Sequence, residues 1–96
     1  MEVNERHPNL TVGRDETSGM VIKTDKVSRL HARIEYRNGH FTLIDKSSNG
    51  TYVADAAGTI RRLDNEKYVL LGAGTISFGI DPDKGKPQFV RYAVRS

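Results

Sequence analysis

Polar and apolar residues alternate along most of the chain. His31-Ala-Arg-Ile-Glu-Tyr-Arg37 puts His31, Arg33, Glu35 and Arg37 on one face and Ala32, Ile34 and Tyr36 on the other. That period of two predicts a strand with one buried face. Asn38-Gly39 follows at once, a strong two-residue hairpin signal, and Phe41–Asp45 reads as the returning strand. Further short strands are predicted at Leu10–Gly13, Met20–Ile22, Thr51–Val53, Thr59–Leu63, Tyr68–Leu71, Thr75–Phe78 and Gln88–Val94, with a weak one at Glu2-Val3. Asp15–Gly19, Lys46–Gly50, Ala54–Gly58 and Gly72–Gly74 read as turns, and Asp81–Pro87 as a solvated connector. Ala56-Ala57, between Asp55 and Gly58, is too short to nucleate a helix. Many short strands separated by turn residues predict an all-β sandwich or small barrel.

Composition narrows the function classes. The chain has 96 residues, enough for one small domain, and no cysteine, which removes disulfide scaffolds, Cys-ligated zinc and thiol nucleophiles. No apolar run approaches the roughly 18 residues of a membrane-spanning helix, and Met1–Asn9 holds no apolar signal segment. Most enzymes need more chain to wall a pocket, so a binding module is expected. The final predicted strand ends at Val94, two residues from the last residue, and this abrupt start and stop suggests one domain, residues 1–96, belonging to a longer protein. The formal charge is +3, without a basic tract: residues 14–50 carry seven basic and five acidic side chains. Three His and twelve acids show no metal-ligand spacing, so neither a metal nor another cofactor is expected.

Four local features carry candidate chemistry: Gly13-Arg14, Ser28-Arg29-Leu30-His31, Asp45–Thr51 and Leu71–Gly79. An Arg at a strand end is either simply solvated or an anion clamp, because guanidinium offers a rigid fork of donors to phosphate or carboxylate. Ser28-Arg29 is either an ordinary turn or a phosphate cradle of hydroxyl, backbone N–H groups and a cation. Ser28 and His31, with Asp45 as orienter, invite a hydrolase reading, but the chain has no G-x-S-x-G elbow and no glycine-lined oxyanion loop after Ser28. For His31 a structural role is expected, a ring nitrogen bonding backbone and fixing the loop. Ser47–Thr51 is a turn by composition, although an Asn amide donates and accepts at once and suits a peptide backbone.

The order and spacing of these features together resemble the forkhead-associated (FHA) domain. Gly13-Arg14 is followed 14 residues on by Ser28-x-x-His31 and then by Ser47-Ser-Asn-Gly-Thr-Tyr52, and the likeness covers about Leu10 to Gly79. It implies a two-sheet, twisted antiparallel β-sandwich of about eleven strands, with peptide-binding loops at one end. It implies that Arg14, Ser28, Arg29 and Ser48 bind the phosphate of a phosphothreonine. Asn49 would bond the peptide backbone. Gly13, His31 and Gly50 would support the loops, the glycines as turn residues. Lys26 would read a residue beyond the phosphothreonine. The partner implied is a phosphothreonine-containing protein, or a phosphorylated segment of the parent chain, with no nucleic acid and no membrane. The setting is a cytoplasmic signalling protein that carries other domains. Where the family commonly has Gly-Asp before the final core strand, this chain has Gly72-Ala73-Gly74. The Leu71–Gly79 form, with Arg61-Arg62 upstream, looks like FHA domains appended to bacterial signalling proteins, nucleotide cyclases among them.

Two other readings remain. A degenerate FHA fold could serve phosphate-independent intramolecular or oligomeric contacts, though such a role would not need Arg14, Ser28, His31 and Asn49 together. A small basic barrel could bind nucleic acid, but such surfaces interleave cations with exposed aromatics. Here Tyr36, Phe41, Tyr52, Tyr68, Phe78, Phe89 and Tyr92 fall mostly at core-compatible positions.

Overall fold

The computed structural model describes residues 9–84 and 89–94. Nine strands and no helix lie among them: β1 (Asn9–Gly13), β2 (Met20–Val21), β3 (Ala32–Arg37), β4 (His40–Asp45), β5 (Thr51–Asp55), β6 (Ile60–Leu63), β7 (Lys67–Leu70), β8 (Ala73–Phe78) and β9 (Phe89–Ala93). One sheet has the order β2-β1-β3-β4-β7, the other β6-β5-β8-β9. All pairings are antiparallel except the short β1–β2 pair, which is parallel. The expected strand at Glu2-Val3 lies outside the described residues.

Alternation within each strand sends one set of side chains inward. Val12, Ala32, Leu43 and Leu70 of the first sheet meet Val53, Leu63, Ile76 and Phe78 of the second in one buried cluster, joined by Val27 from the β2–β3 loop. Core packing of this kind supplies most of the stability of so small a domain. Because β3 begins at Ala32, His31 stands before the strand and escapes its alternation. The pattern set it on the polar face with Arg33; in the structure it is fully buried. Phe89 departs in the opposite sense and is 56% exposed.

The turns divide into two ends of the sandwich. At one end lie the tight connections β3–β4, β5–β6 and β7–β8. Asn38 and Gly39 both have positive φ, at 53° and 81°, the geometry a two-residue hairpin needs. Between β7 and β8 only Gly72 (φ 64°) turns the chain. Ala73 and Gly74, expected in that turn, already belong to β8, where Gly74 pairs with Asp55 and Tyr92. A Cβ at Gly74 would strike the Ala54 carbonyl and the Tyr92 ring, so the glycine admits two neighbouring strands rather than a bend. The other end gathers the segments after β1, before β3, between β4 and β5, and after β8.

Candidate functional site

The residues that carry the resemblance meet at this second end. Gly13 closes β1 against the Ser28-Arg29 loop. A Cβ there would run into the Arg29 carbonyl. Gly13 is thus a close-approach glycine rather than the turn glycine expected from the resemblance. The contact is locked by Arg14 N–H donating to the Ser28 carbonyl at 3.0 Å and Asp15 N–H to the Arg29 carbonyl at 3.2 Å. It brings the Arg14 side chain beside that loop. Arg14 is exposed, and among the described residues it makes no ion pair.

His31 organises the site from beneath. Its Nδ1 accepts the Ser28 N–H at 3.0 Å, so Nε2 carries the proton and donates to the Gly50 carbonyl, also at 3.0 Å. The ring packs edge-on to Phe78, with centroids 5.6 Å apart. Both nitrogens are committed in the neutral form, and burial pushes the His31 pKa below its usual 6.5. Gly50, at φ 87°, holds a left-handed turn that a side chain would strain. Its carbonyl also receives the Gly79 N–H at 3.0 Å.

The β4–β5 loop hangs on Asp45, a fully buried carboxylate. One oxygen accepts from Ser47 Oγ (2.6 Å), Thr51 Oγ1 (2.7 Å) and Ser47 N–H (3.3 Å); the other accepts from Asn65 N–H at 2.8 Å. Ser47 Oγ in turn accepts the Gly50 N–H at 2.8 Å. Sequence reasoning considered Asp45 only as a partner for His31, and none of its hydrogen bonds goes there. Nor does Ser28 Oγ bond the imidazole, so no catalytic triad forms. The signal for Asp45 was its spacing: hydroxyls two and six residues on, Ser47 and Thr51, fit a carboxylate that closes its own loop.

On this scaffold Ser48 N–H donates to Ser28 Oγ at 3.1 Å, joining the two loops at the surface. The hydroxyl hydrogen of Ser28 is left to donate outward. Asn49 is exposed, and its Nδ2 donates to the Lys26 carbonyl at 2.9 Å, leaving Oδ1 to accept. That same Lys26 carbonyl lies against Gly79, where a Cβ would collide with it. Lys26 itself is exposed and without an ion pair among the described residues.

Arg29 is less free. Its Nη2 lies 3.0 Å from Asp15 Oδ2, with the Arg side chain 76% exposed. Hydrogen bonds from Thr17 N–H and Oγ1, together with Arg29, hold the Asp15 carboxyl down at about 2. Arg14, Asp15, Glu16, Thr17 and Arg29 line an open depression of about 470 Å³. Both of its carboxylates are ion-paired, Asp15 to Arg29 and Glu16 to Lys23 (2.9 Å). Arg62, read in the sequence only as part of the FHA likeness, lies across Gly50, close enough that a Cβ there would meet its Nε. Nothing in the local sequence of β6 signals that contact, because the register of β5 and β6 makes it. The described residues hold no group of three or more His, Asp or Glu placed to bind a metal.

Solved structures share this architecture. An engineered FHA with Myc-pTBD peptide superposes with a TM-score of 0.71 at 22% identity, covering 96% of this chain and 71% of that one. The N-terminal FHA domain of S. cerevisiae Rad53p, in complex with a phosphothreonine peptide, gives 0.69 at 21% identity, covering 96% and 73%. Both likenesses carry the fold. In sequence, the chloroplastic zeaxanthin epoxidase of Arabidopsis thaliana is 39% identical over 64 residues, which is 65% of this chain but only 10% of that protein. The FHA domain profile matches residues 10–79, the span that contains every site residue described above, and the chain belongs to the FHA domain family.

Proposed function

We propose that the chain is a phosphothreonine-dependent protein-interaction module, with Arg14, Ser28, Arg29 and Ser48 on the phosphate, Asn49 on the peptide backbone and Lys26 beside the following residues. The observation that carries this reading is the 3.1 Å junction of Ser28 Oγ and Ser48 N–H beside the uncommitted guanidinium of Arg14. A hydroxyl, a guanidinium and nearby backbone N–H groups form a donor set suited to three acceptor oxygens carrying about −1.5 to −2 charge. At about 1.5–3 kcal/mol net per charged hydrogen bond, three or four such bonds give roughly 5–12 kcal/mol before the peptide is ordered. Several kcal/mol of ordering cost bring the expected affinity to about the micromolar range, suited to reversible signalling.

The FHA domain is an interaction domain, and this chain needs no catalytic group, cofactor, nucleic acid or membrane for that role. We place it as one module of a longer signalling protein, bacterial by the form of Leu71–Gly79, docking a phosphorylated partner or a phosphorylated segment of its own parent. A cysteine-free chain suits the reducing cytoplasm. The test is a titration with a degenerate phosphothreonine peptide library, with phosphoserine and unphosphorylated controls. Phosphothreonine peptides are expected to bind, phosphoserine peptides more weakly and unphosphorylated ones not at all. Equal binding with and without phosphate would sink the reading in favour of phosphate-independent contacts.

A further inference from the structure

The chain contains two Asn-Gly steps, Asn38-Gly39 and Asn49-Gly50, and the fold puts them at opposite ends of the sandwich. An Asn followed by Gly is prone to deamidation, because glycine has no side chain to shield its amide nitrogen. The ionised glycine nitrogen attacks the Asn side-chain carbon Cγ, and the new C–N bond closes a succinimide ring. The C–N bond to the side-chain nitrogen breaks, and that nitrogen takes up a proton and leaves as ammonia. Water then opens the ring at either carbonyl, giving aspartate or isoaspartate. Chain and water are the only reactants. The glycine N–H must be free to lose its proton, and the Asn side chain must be free to turn onto the nitrogen.

Asn49-Gly50 is held on both counts. Gly50 N–H is donated to Ser47 Oγ at 2.8 Å. Ser47 Oγ–H is itself donated to Asp45 Oδ1 at 2.6 Å, so it has no hydrogen to turn toward an ionised nitrogen. Asn49 Nδ2 donates to the Lys26 carbonyl at 2.9 Å, which tethers the side chain. The Gly50 carbonyl is pinned by His31 Nε2 and by Gly79 N–H, both at 3.0 Å. Asn38-Gly39 has none of this. Both residues are exposed, and a Cβ placed on Gly39 would meet nothing within 4 Å. Among the described residues neither the Asn38 side chain nor the Gly39 N–H makes a hydrogen bond.

We propose that Asn38 is a site of spontaneous deamidation, and that the Ser47 hydroxyl and the Lys26 carbonyl hold Asn49 against the same reaction. At Asn38 the product sets a carboxylate beside Arg37 and His40, exposed cross-strand partners on either side of the turn. Isoaspartate there also adds one carbon to the main chain of a two-residue hairpin. At Asn49 the same change would remove the amide donor that joins its loop to Lys26. The bonds that shape the candidate site thus also keep its amide intact while the connecting turn ages. The inference rests on these bonds alone and holds whatever the loop end binds.

The experiment incubates the full chain at mildly alkaline pH, native and in concentrated urea, and follows each Asn by proteolysis and mass spectrometry. In urea the two steps should convert at similar rates. In the native chain Asn38 should convert about tenfold to a hundredfold faster than Asn49, the ratio that two hydrogen bonds impose. Ser47→Ala should speed conversion at Asn49 about tenfold, with Asn38 of the same molecule as an internal clock. The comparison of native chain with urea needs no variant, so it stands even if Ser47→Ala does not fold. Equal native rates at the two steps, or an Asn38 that converts in urea but not in the native chain, would overturn the proposal. A folded Ser47→Ala chain whose Asn49 keeps its slow rate would overturn the role given to Ser47.

Discussion

The two ends of the sandwich are built by different physics. At the hairpin end each turn is self-sufficient. Asn38 and Gly39 supply their own positive φ, and Asp55 caps its turn by accepting from Ala57 N–H (2.9 Å) and Thr59 N–H (3.0 Å). At the loop end the backbone is held by buried polar side chains whose partners lie far off in sequence. His31 reaches Gly50, 19 residues away, and Asp45 reaches Asn65, 20 residues away. A surface loop held this way is pre-organised, so less of the binding energy is spent ordering it when a ligand arrives. The contrast teaches where this chain gathers its buried polar and charged residues: His31, Asp45, Ser47 and Thr51 all lie beneath the candidate site.

The sharpest way to break the contrast is Asp45→Ala. It leaves Ser47 Oγ, Thr51 Oγ1 and Asn65 N–H without their buried acceptor, and the cost should be about 3 kcal/mol or more. By thermal denaturation the midpoint should fall by more than about 10 °C, and phosphopeptide affinity should fall with it. Arg14→Ala separates the surface from the scaffold. Affinity measured by calorimetry should drop about a hundredfold with the melting midpoint unchanged, since no described residue depends on that guanidinium.

His31→Ala should lower both readouts, stability by about 2–3 kcal/mol, because the loss acts through the Ser28 and Gly50 loops. A fall in affinity with no loss of stability would contradict the supporting role. His31 also gives the domain a pH dependence. Its folded pKa is depressed below 6.5. Below that pH the unfolded chain therefore binds a proton that the fold excludes, and stability decreases as pH falls. Denaturant midpoints should be level above pH 6.5 and decline beneath it, and His31→Phe should flatten that decline. Phosphopeptide binding should weaken in the same direction below about pH 6, as the phosphate gains its second proton.

At the opposite end, Gly39→Ala should cost about 1 kcal/mol through its positive φ, with affinity untouched. The smallest effect belongs to Asp15→Asn. Releasing Arg29 from its ion pair should raise phosphopeptide affinity about twofold to threefold, while Asn keeps the turn closed by accepting from Thr17. Surface plasmon resonance at matched salt would resolve a change of that size.

This difference also explains what was legible in the sequence. The hairpin at Asn38-Gly39 and the strands of β3 and β4 follow from local rules, since both the alternation and the turn residues sit within the segment they shape. At the loop end the residue types were readable, and so was a His31 ring nitrogen on backbone, but not which segments the side chains join. His31 looked like a solvent-face residue because alternation does not say where a strand starts. In sequence Asp45 reads only as an orienter of His31; its bonds to Ser47 and Thr51 follow from local spacing, but the one to Asn65 arrives from the β6–β7 turn. Gly13 and Gly74 were read as bends, yet both exist to let another segment of backbone approach, a requirement set by tertiary packing. Arg62 reaches Gly50 only through the β5–β6 register. Order and spacing of the family's motifs single out Arg14, Ser28, Ser48 and Asn49 for the proposed site where local rules do not.

The central claim is that the scaffolded end, and only that end, is the receptor. Backbone-amide NMR during titration with a phosphothreonine peptide tests it most directly. Shifts should concentrate at Arg14, Ser28, Arg29, Ser48 and Asn49, with Asn38, Gly39 and Ala56–Gly58 unmoved, and the unphosphorylated peptide should produce none. Shifts centred on the hairpin end, or the same shifts without phosphate, would contradict it.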